Sequence, residues 1–413
     1  MSESVDVVAV DRSDAGGFGA GEQQDPRSRV ARFLAAYDPA TTDRSEFLRA
    51  RYDAGLAWVS FPLGHGGLGL SQEWQPEVDR LFEDAAAPNN RPRLNGIGLG
   101  MAAPTILAHG TEEQKQRFLR PLWIGEEIWC QLFSEPGAGS DLAGVGTRAV
   151  RDGDEWVVNG QKVWTSVAHH AQFAILLARS DPTVPKHAGL TFFLCDMTDP
   201  GIDVRPLRQI TGEAEFNEVF LTDVRIPDAL RLGAVGDGWR VATATLNSER
   251  VAIGGGATAR ESGMIGVVAD TWRRSRPERR TPELHDRLLS LWVESDLARL
   301  TGLRLRQKLA AGQLGPEGAA MKLSFARINQ QLSGLELELL GEDGLRYSDW
   351  TMARPEEVDM TGRDAGYRYL RARGNSIEGG TSEILRSLVA ERVLGLPREP
   401  RVDGNVPWEE LEK

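Results

Sequence analysis

The sequence predicts an α+β multidomain protein: a helical N-terminal domain, a compact middle β domain and a C-terminal four-helix bundle. Two changes of pattern support this order. Helical periodicity ends near Trp129, where short apolar runs typical of strands begin, and it returns at Trp239. A chain of 413 residues is long enough for two or three domains with substantial cores. We place a lead-in at 1–27, domains at 28–129, 130–236 and 237–397, and a tail at 398–413.

The composition narrows the classes of function. A formal net charge of −12 argues against a nucleic-acid-binding groove. No apolar run approaches the ~20 residues needed to span a bilayer. Residues 1–27 are polar, acidic and rich in glycine, unlike a signal peptide, and we expect them to form a disordered lead-in. Cys130 and Cys195 stand in apolar surroundings, which predicts buried thiols in a reducing compartment such as the cytoplasm.

The cysteines and histidines lack the spacing of metal ligands. The six histidines show no His-x-x-His or His-x-x-x-His pattern, and the pair His169-His170 would point to opposite faces if it lay on a strand. The sequence therefore predicts no metal site.

The N-terminal domain reads as helical from about 29 to 129. The run Thr111-Glu112-Glu113-Gln114 is a capping box, with threonine at the N-cap and glutamine three residues later, and it predicts the start of a helix. Residues 64–69 form a glycine-rich turn. A phosphate-binding loop would continue with Gly-Lys-Ser or Gly-Lys-Thr, which is absent, so we predict a plain interhelical loop.

The middle domain is predicted from strand and turn signals. Asp152-Gly153 and Asn159-Gly160 are both typical of hairpin turns. Short, dense runs of this kind predict an antiparallel barrel or sandwich. Further strands are predicted at Phe173–Ala178, Leu190–Leu194, Ile202–Leu207 and Val219–Val224.

The C-terminal domain is predicted from four long helical segments. They are separated by Pro277 and by glycine-rich stretches at 312–315 and 341–344. Long helices with short links predict an antiparallel bundle. The segments are Trp239–Trp272, Pro282–Leu309, Gly318–Leu340 and about Tyr367–Leu394.

The segment from Gln131 to Asp141 is the most informative part of the chain. Pro136 fixes one backbone angle, and Gly137 and Gly139 permit close approaches that a Cβ would forbid. This segment resembles the flavin-binding signature of the acyl-CoA dehydrogenase family. A second family signature is matched by Glu378-Gly379-Gly380-Thr381-Ser382-Glu383-Ile384, in the expected order.

The resemblance extends over nearly the whole chain after the lead-in. It implies a middle antiparallel β-barrel, non-covalent FAD, an acyl-CoA substrate and an electron-transfer flavoprotein as acceptor. It also implies a homodimer or homotetramer, or a heteromer with a related subunit. Further matching motifs are His109-Gly110-Thr111-Glu112-Glu113-Gln114, Asn159-Gly160-x-Lys162-x-Trp164, and Glu218-Val219-Phe220 with Val224 and Pro227.

The family reaction removes two hydrogens from adjacent carbons of an acyl-CoA thioester. A carboxylate takes the α-proton, and the β-hydrogen leaves as hydride to the flavin. A glutamate with its ordinary pKa of ~4.3 is a weak base for this step, so the chemistry favours a dry site that raises the pKa. The thioester oxygen needs hydrogen-bond donors as negative charge develops on it.

Two glutamates are candidates for the base. Many family members place it just before Gly-Thr-Ser, where this chain has Gly379, and Glu378 is displaced by one residue. The isovaleryl and long-chain branches place it on the first helix of the C-terminal bundle, where Glu249 lies. We therefore favour Glu249, with Glu378 as the alternative. Without the resemblance, Glu249-Arg250 would be interpreted as a solvated charged pair.

The resemblance also implies binding roles. Without the neighbouring motifs, Trp164 would be interpreted as an aromatic residue of a strand core. The implied flavin contacts are Gln131, Phe133 and Ser134 at the pyrimidine edge, Trp164 on the ring, Ser166 near N5, and Thr381 and Glu383 at the ribose and pyrophosphate. The implied contacts to the acyl-CoA arm are Ser140 and Arg250.

The chain departs from the family at the adenine side of the cofactor. Arg-x-x-Phe-Gly and Gln-x-x-Gly-Gly-x-Gly are replaced by the stretches 273–277 and 338–344, which lack the phenylalanine and the glutamine. Two other functions stay open, and this departure favours only the second of them. One is a relative that uses oxygen as an oxidase or monooxygenase, and the other is a non-catalytic flavoprotein subunit of a heteromer.

Overall fold

The structure is a computed structural model that describes residues 25–254, 259–310, 317–355, 362–400 and 403–411. At 247–254 and 309–310 only the backbone is described. The chain divides into two compact units, and the first of them ends at Pro88.

The first unit is helical, with α1 at Pro26–Ala36, α2 at Arg44–Asp53 and α3 at Gln75–Asp84. Its core is a cluster of edge-on aromatic rings. The ring centroid of Phe33 lies 5.2 Å from that of Phe47 and 5.7 Å from that of Phe82. The glycine-rich turn at 64–69 lies between α2 and α3, as predicted, with φ above +60° at Gly64, Gly66 and Gly69.

The second unit begins with helices that lead into a sheet. A π-helical turn at Gly98–Ala102 precedes α4 at Ala103–His109 and α5 at Glu112–Ile124. The predicted capping box of α5 is confirmed. The Gln114 amide donates to Thr111 Oγ1 at 3.3 Å, and the Thr111 amide donates to Gln114 Oε1 at 3.0 Å.

One eight-stranded sheet forms the middle of the chain, in the order β6-β7-β3-β2-β4-β5-β8, with β1 paired to β4. Most pairs are antiparallel, as predicted, but β1 runs parallel to β4, and β2 meets β4 in parallel at one residue pair. The strands are β1 Trp129–Leu132, β2 Arg148–Asp152, β3 Glu155–Ser166, β4 Phe173–Arg179, β5 Leu190–Asp196, β6 Ile202–Pro206, β7 Phe216–Pro227 and β8 Arg231–Leu232.

Only one of the two predicted hairpin turns exists. Gly153, with φ +66°, turns the chain from β2 into β3, as expected. Asn159-Gly160 instead lies inside β3, at a shift of register against β7. The reason is packing: a Cβ on Gly160 would lie 2.3 Å from Thr147 Oγ1, so the glycine serves a close approach and not a turn.

Two of the four segments predicted for the C-terminal part, Pro282–Leu309 and Gly318–Leu340, are single helices as expected, and the other two are divided, which gives six α-helices among the described residues. The segment 239–272 is divided because Gly263, with φ +71°, precedes the second helix. The last segment is divided at Gly379 and Gly380, whose φ values are +59° and +91°. The helices are α6 Gly238–Gly254, α7 Met264–Arg274, α8 Pro282–Ala310, α9 Gly318–Leu340, α10 Ala365–Ala372 and α11 Ser382–Arg392.

Helix α9 is at the centre of this helical region and packs against α7, α8, α10 and α11. Ile265, Leu291 and Leu335 belong to the buried cluster that α7, α8 and α9 share. In the described part of the chain, no helix is long and apolar enough to cross a membrane. Cys130 and Cys195 are buried free thiols, as predicted, and burial raises the pKa of both.

Candidate active site

The end of β3 presents an exposed aromatic ring. The pairing of β3 with β7 shifts register between Lys162 and Thr165, which is a bulge. Within it Trp164 has φ +60°, a strained conformation for a residue with a Cβ, and 58% of its surface is exposed. The ring of Phe216 meets it edge-on, with centroids 5.9 Å apart. The bulge thus turns a large flat side chain out of the sheet.

A buried lysine joins this bulge to the end of β1. Lys162 Nζ donates to the Phe133 carbonyl at 3.0 Å, to the Leu177 carbonyl at 2.8 Å and to Glu135 Oε1 at 2.8 Å. The Val163 amide donates to the Ser134 carbonyl at 2.9 Å. Because of these bonds, Gln131–Ser134 lies alongside Trp164–Ser166.

The Lys162–Glu135 pair is an ionised anchor in a low-dielectric place. Burial lowers the pKa of Lys162, against the attraction of Glu135. Burial also works against the charge on Glu135, yet Lys162 and donation from Thr147 and Gly146 hold the pKa of that carboxyl below its usual range. The Gly146 and Thr147 amides donate to it at 2.7 and 2.9 Å. The pair therefore fixes the ends of both segments.

The residues at this junction fit a flat ring system with a polar edge. Trp164 offers a ring face, and the half-buried side chains of Gln131, Ser134 and Ser166 have no hydrogen-bond partner among the described residues. An amide and two hydroxyls can both donate and accept, which is what the pyrimidine edge of an isoalloxazine requires. Phe133 is buried beneath them against Phe192, with centroids 5.6 Å apart.

Glu378 is connected to Phe216, the neighbour of Trp164, through Arg371. Arg371 joins the two, with its guanidinium 5.7 Å from the Phe216 ring centroid and 2.9 Å from Glu378 Oε2. The Asn375 side-chain amide donates to Glu378 Oε1 at 2.6 Å. Both oxygens of this carboxylate are therefore engaged within the chain.

The same arginine meets a second, buried carboxylate. Glu215 Oε1 lies 3.4 Å from Arg371 Nη2, and the two side chains are 3% and 11% exposed. Burial raises the pKa of Glu215, Arg371 opposes that shift, and the charge on Glu378 adds to it. The sheet and α10 are thus joined by a buried ionic cluster.

The remaining predicted residues lie apart from this junction. Thr381 caps α11, since its Oγ1 accepts from the Ile384 amide at 3.2 Å. Glu383 is exposed and lies 3.2 Å from Arg386. Ser140 is exposed at the turn before Asp141. No contact among the described residues brings Thr381, Glu383 or Ser140 against Trp164.

Glu249 and Arg250 lie on the backbone of α6, and their side chains are outside the described part of the chain. Glu249 follows Thr245 by four residues. Thr245 is fully buried, and its hydroxyl hydrogen-bonds that of Thr105 at 2.9 Å. The glycines at 255 and 256, predicted to continue this helix, are also outside the described residues.

The pair His169-His170 differs from the expectation for a strand. It lies on a 3-10 turn after Ser166, and the two ring centroids are 4.2 Å apart. Burial lowers the pKa of His169 to about 4, with the charges of His170 and Arg354 adding to the effect. Among the described residues, no group of three or more histidine, cysteine or acidic side chains could hold a metal.

Sequence reasoning missed the residues that hold the site together. Lys162 could have been suspected, because a lysine within an apolar strand needs a buried partner. Glu135, Glu215 and Arg371 carried no such signal, since their partners are far away in the sequence.

Two stretches, 273–277 and 338–344, depart from the family pattern at the adenine side, and charged side chains in both form ion pairs within the chain. Arg273 lies 2.7 Å from Asp270 and 2.9 Å from Glu261. Glu338 forms a two-pronged ion pair with Arg287 at 2.6 and 2.8 Å. These side chains have partners without any cofactor.

Three family models match consecutive parts of the chain. They are "Acyl-CoA dehydrogenase, N-terminal domain" at 22–126, "Acyl-CoA dehydrogenase, middle domain" at 130–224 and "Acyl-CoA dehydrogenase, C-terminal domain" at 236–394. These models define a flavin-dependent class of oxidoreductases that act on CH-CH donors. The chain belongs to the acyl-CoA dehydrogenase family, and the predicted helical, β and helical order is confirmed.

Individual relatives agree with this assignment. The chain is 39% identical over 348 residues to acyl-CoA dehydrogenase IpdE1 of Mycobacterium tuberculosis, covering 84% of this chain and 86% of that protein. Among solved structures, the Tcur3481-Tcur3483 steroid ACAD superposes with a TM-score of 0.70 at 25% identity, over 93% of this chain and 99% of that one. The ChsE4-ChsE5 complex from Mycobacterium tuberculosis gives a TM-score of 0.68 at 25% identity, over 93% and 99%.

Proposed function

We propose that the protein catalyses FAD-dependent α,β-dehydrogenation of an acyl-CoA thioester to the trans-2-enoyl-CoA. The observation that carries this proposal is the junction of Gln131–Ser134 with the exposed Trp164 and Ser166, held by buried Lys162. Bound FAD would supply the hydride acceptor. Thr381 and Glu383 would bind its ribose and pyrophosphate.

The proposed base is Glu249. In the alternative, Glu378, Oε1 already accepts hydrogen bonds from Arg371 and Asn375, and Oε2 lies 2.9 Å from Arg371 Nη1 in an ion pair. Gly379 carries no carboxylate, and its φ of +59° favours glycine there. These two facts favour a base on α6.

The proposed substrate is an acyl-CoA with a bulky, ring-bearing acyl group. This proposal is supported by the similarity to the steroid ACAD, and Ser140 and Arg250 are the proposed contacts of the CoA arm. We further propose that the reaction belongs to β-oxidation in the cytoplasm, with an electron-transfer flavoprotein as acceptor.

The visible spectrum of the purified protein tests the cofactor and the reaction together. We expect a yellow protein with flavin absorption that bleaches anaerobically on addition of one member of an acyl-CoA panel, linear and ring-bearing. Trp164→Ala should lose most of the flavin, because the ring would lose its stacking surface, whereas Trp350→Ala, at another exposed tryptophan, should keep it. A chain that stays colourless after incubation with FAD would contradict the proposal, and oxygen consumption during turnover would favour the oxidase alternative.

We propose that the chain works as a homodimer or homotetramer. Its support is an apolar row on α8, where Leu289, Val293, Leu297 and Leu300 follow helical spacing and are 47–58% exposed. The alternative is a heteromer, supported by the similarity to the ChsE4-ChsE5 complex.

Light scattering checks the assembly. Wild-type protein should have a mass of at least twice 45.3 kDa, and Val293→Glu combined with Leu297→Glu should shift it towards the monomer, because charges would be buried in the interface. The control is Asp286→Lys, a charge change at an exposed position of the same helix. A fully active monomer would contradict the proposal. A monomer that binds flavin only with a related subunit would establish the heteromer.

A further inference from the structure

The tail of the chain folds back onto the loop that carries Ser140. The Trp408 amide donates to the Val184 carbonyl at 3.0 Å, and the Glu409 amide donates to the Pro182 carbonyl at 3.1 Å. Residues 403–411, called the strap below, therefore dock on the β4–β5 connection. That connection borders residues 136–147, called the Ser140 loop below.

The strap contacts this loop through one aromatic ring. Trp408 Nε1 donates to the Gly144 carbonyl at 3.2 Å. A Cβ built on Gly146 would lie 3.5 Å from the indole, so the ring packs directly on that residue. The indole also contacts Arg179, whose guanidinium lies 4.5 Å from the ring centroid in a cation–π interaction.

Arg179 is the centre of this arrangement. It is 2% exposed, and its guanidinium donates to the carbonyls of Ala143, Val145 and Lys186. The indole of Trp408 covers this buried cation. Removing the ring would expose Arg179 to water and delete the hydrogen bond from Trp408 to the Gly144 carbonyl, so the loop would loosen. The bonds from Arg179 to the loop would stay in place and preserve the fold.

A second link runs through Lys186. Its Nζ lies 2.8 Å from Asp141 Oδ2 in the loop and 2.6 Å from Asp403 Oδ2 in the strap, and its side chain is 12% exposed. One ammonium therefore holds a carboxylate of each segment. The opposite side of the loop is closed independently, by backbone bonds between Glu135 and Ala138 at 3.1 and 3.0 Å.

We propose that Trp408 and Asp403 are positioning residues for substrate binding, which act by holding the 141–146 side of the Ser140 loop. The proposal rests on the proposed function, because Ser140 is there assigned to the acyl-CoA arm. The strap sets the affinity for acyl-CoA and leaves the proton and hydride transfers to other residues.

The test uses the full-length holoprotein with Trp408→Ala, Trp408→Phe and Asp403→Asn. The matched control is Glu409→Gln, whose exposed side chain lies next to Trp408 on the same strap. Hydrogen exchange of the amides at 139–146 is measured without substrate. KM and kcat are then measured with the acyl-CoA that bleaches the wild-type flavin.

For Trp408→Ala we expect exchange at 139–146 and KM each to rise about tenfold, which corresponds to about 1.4 kcal/mol. We expect flavin content to be unchanged and kcat to stay within about twofold. Trp408→Phe keeps a stacking ring and should restore most of the affinity, Asp403→Asn should show a smaller rise, and Glu409→Gln should match wild type.

Unchanged exchange and KM in Trp408→Ala would overturn the proposal, as would a loss of kcat and flavin at constant KM, which indicates a merely structural role. If wild type is bleached by no acyl-CoA, the proposed function fails instead. In that case hydrogen exchange alone tests whether the strap holds the Ser140 loop. Faster exchange at 139–146 in Trp408→Ala supports this role, and unchanged exchange refutes it.

Discussion

Glu249→Gln should retain flavin and acyl-CoA binding and lose about 10²–10⁴-fold in turnover, the typical contribution of a general base. Glutamine keeps the shape of the side chain but cannot accept the α-proton. The measurement is the rate of anaerobic flavin reduction after mixing with saturating acyl-CoA, since this single-turnover rate reports chemistry without later electron transfer.

Glu378→Gln is the matched control for this experiment. It removes the carboxylate of the alternative candidate base, and it weakens the ion pair with Arg371. We expect a far smaller loss of reduction rate, caused by a change in loop geometry. A Glu249 variant that reduces its flavin at the normal rate, beside a Glu378 variant that binds flavin but is inert, would move the base to the C-terminal loop.

Arg371→Ala should lower the free energy of unfolding by about 3–5 kcal/mol, the usual result of removing one partner from a buried ionic group. Glu215 is 3% exposed and would keep a buried carboxylate without its cation, and Glu378 would lose the same partner. The measurement is the urea midpoint with its slope. Arg386→Ala removes an exposed partner of Glu383 and should change stability by less than about 0.5 kcal/mol.

The loss in Arg371→Ala should depend on pH. Burial raises the pKa of Glu215 in the folded protein, and removal of Arg371 removes the attraction that opposes this rise. A carboxyl with a raised folded pKa takes up a proton on folding, so stability falls as pH rises from its unfolded pKa through its folded pKa. The variant should therefore lose more stability at pH 7 than at pH 4. An equal loss at both values would show that lost packing, and not charge, is the cause.

Local chemistry explains which sequence predictions succeeded. The capping box at Thr111 and Gln114 involves backbone and side-chain groups of one helical turn, so its residues are enough to predict it. The turn at Gly153 likewise depends on one residue with positive φ. Asn159-Gly160 shows a similar turn pattern, but a close contact between Gly160 and Thr147, the residue before β2, decided the role of that glycine.

The candidate site shows the same division. The segments proposed to bind flavin, Gln131–Ser134 and Trp164–Ser166, were chosen from the family resemblance, and the structure brings them together. The ion pair that holds these segments in place, Lys162–Glu135, was not predicted, because such a pair is strong only where burial removes water. The role of Glu249 as base remains a prediction of the resemblance.

The sequence by itself determined the order of helical and β regions, the positions of the capped helix and first hairpin, and the family, while the residues that bind and react stay a prediction of the resemblance. Only the tertiary structure decided that Arg371 links the sheet to α10 and that Trp408 covers Arg179 beside the Ser140 loop. The physical reason is the range of the interactions. Caps and turns are formed by neighbours in the chain, whereas these pairs join residues distant in sequence, and their energies depend on how deeply the fold buries them.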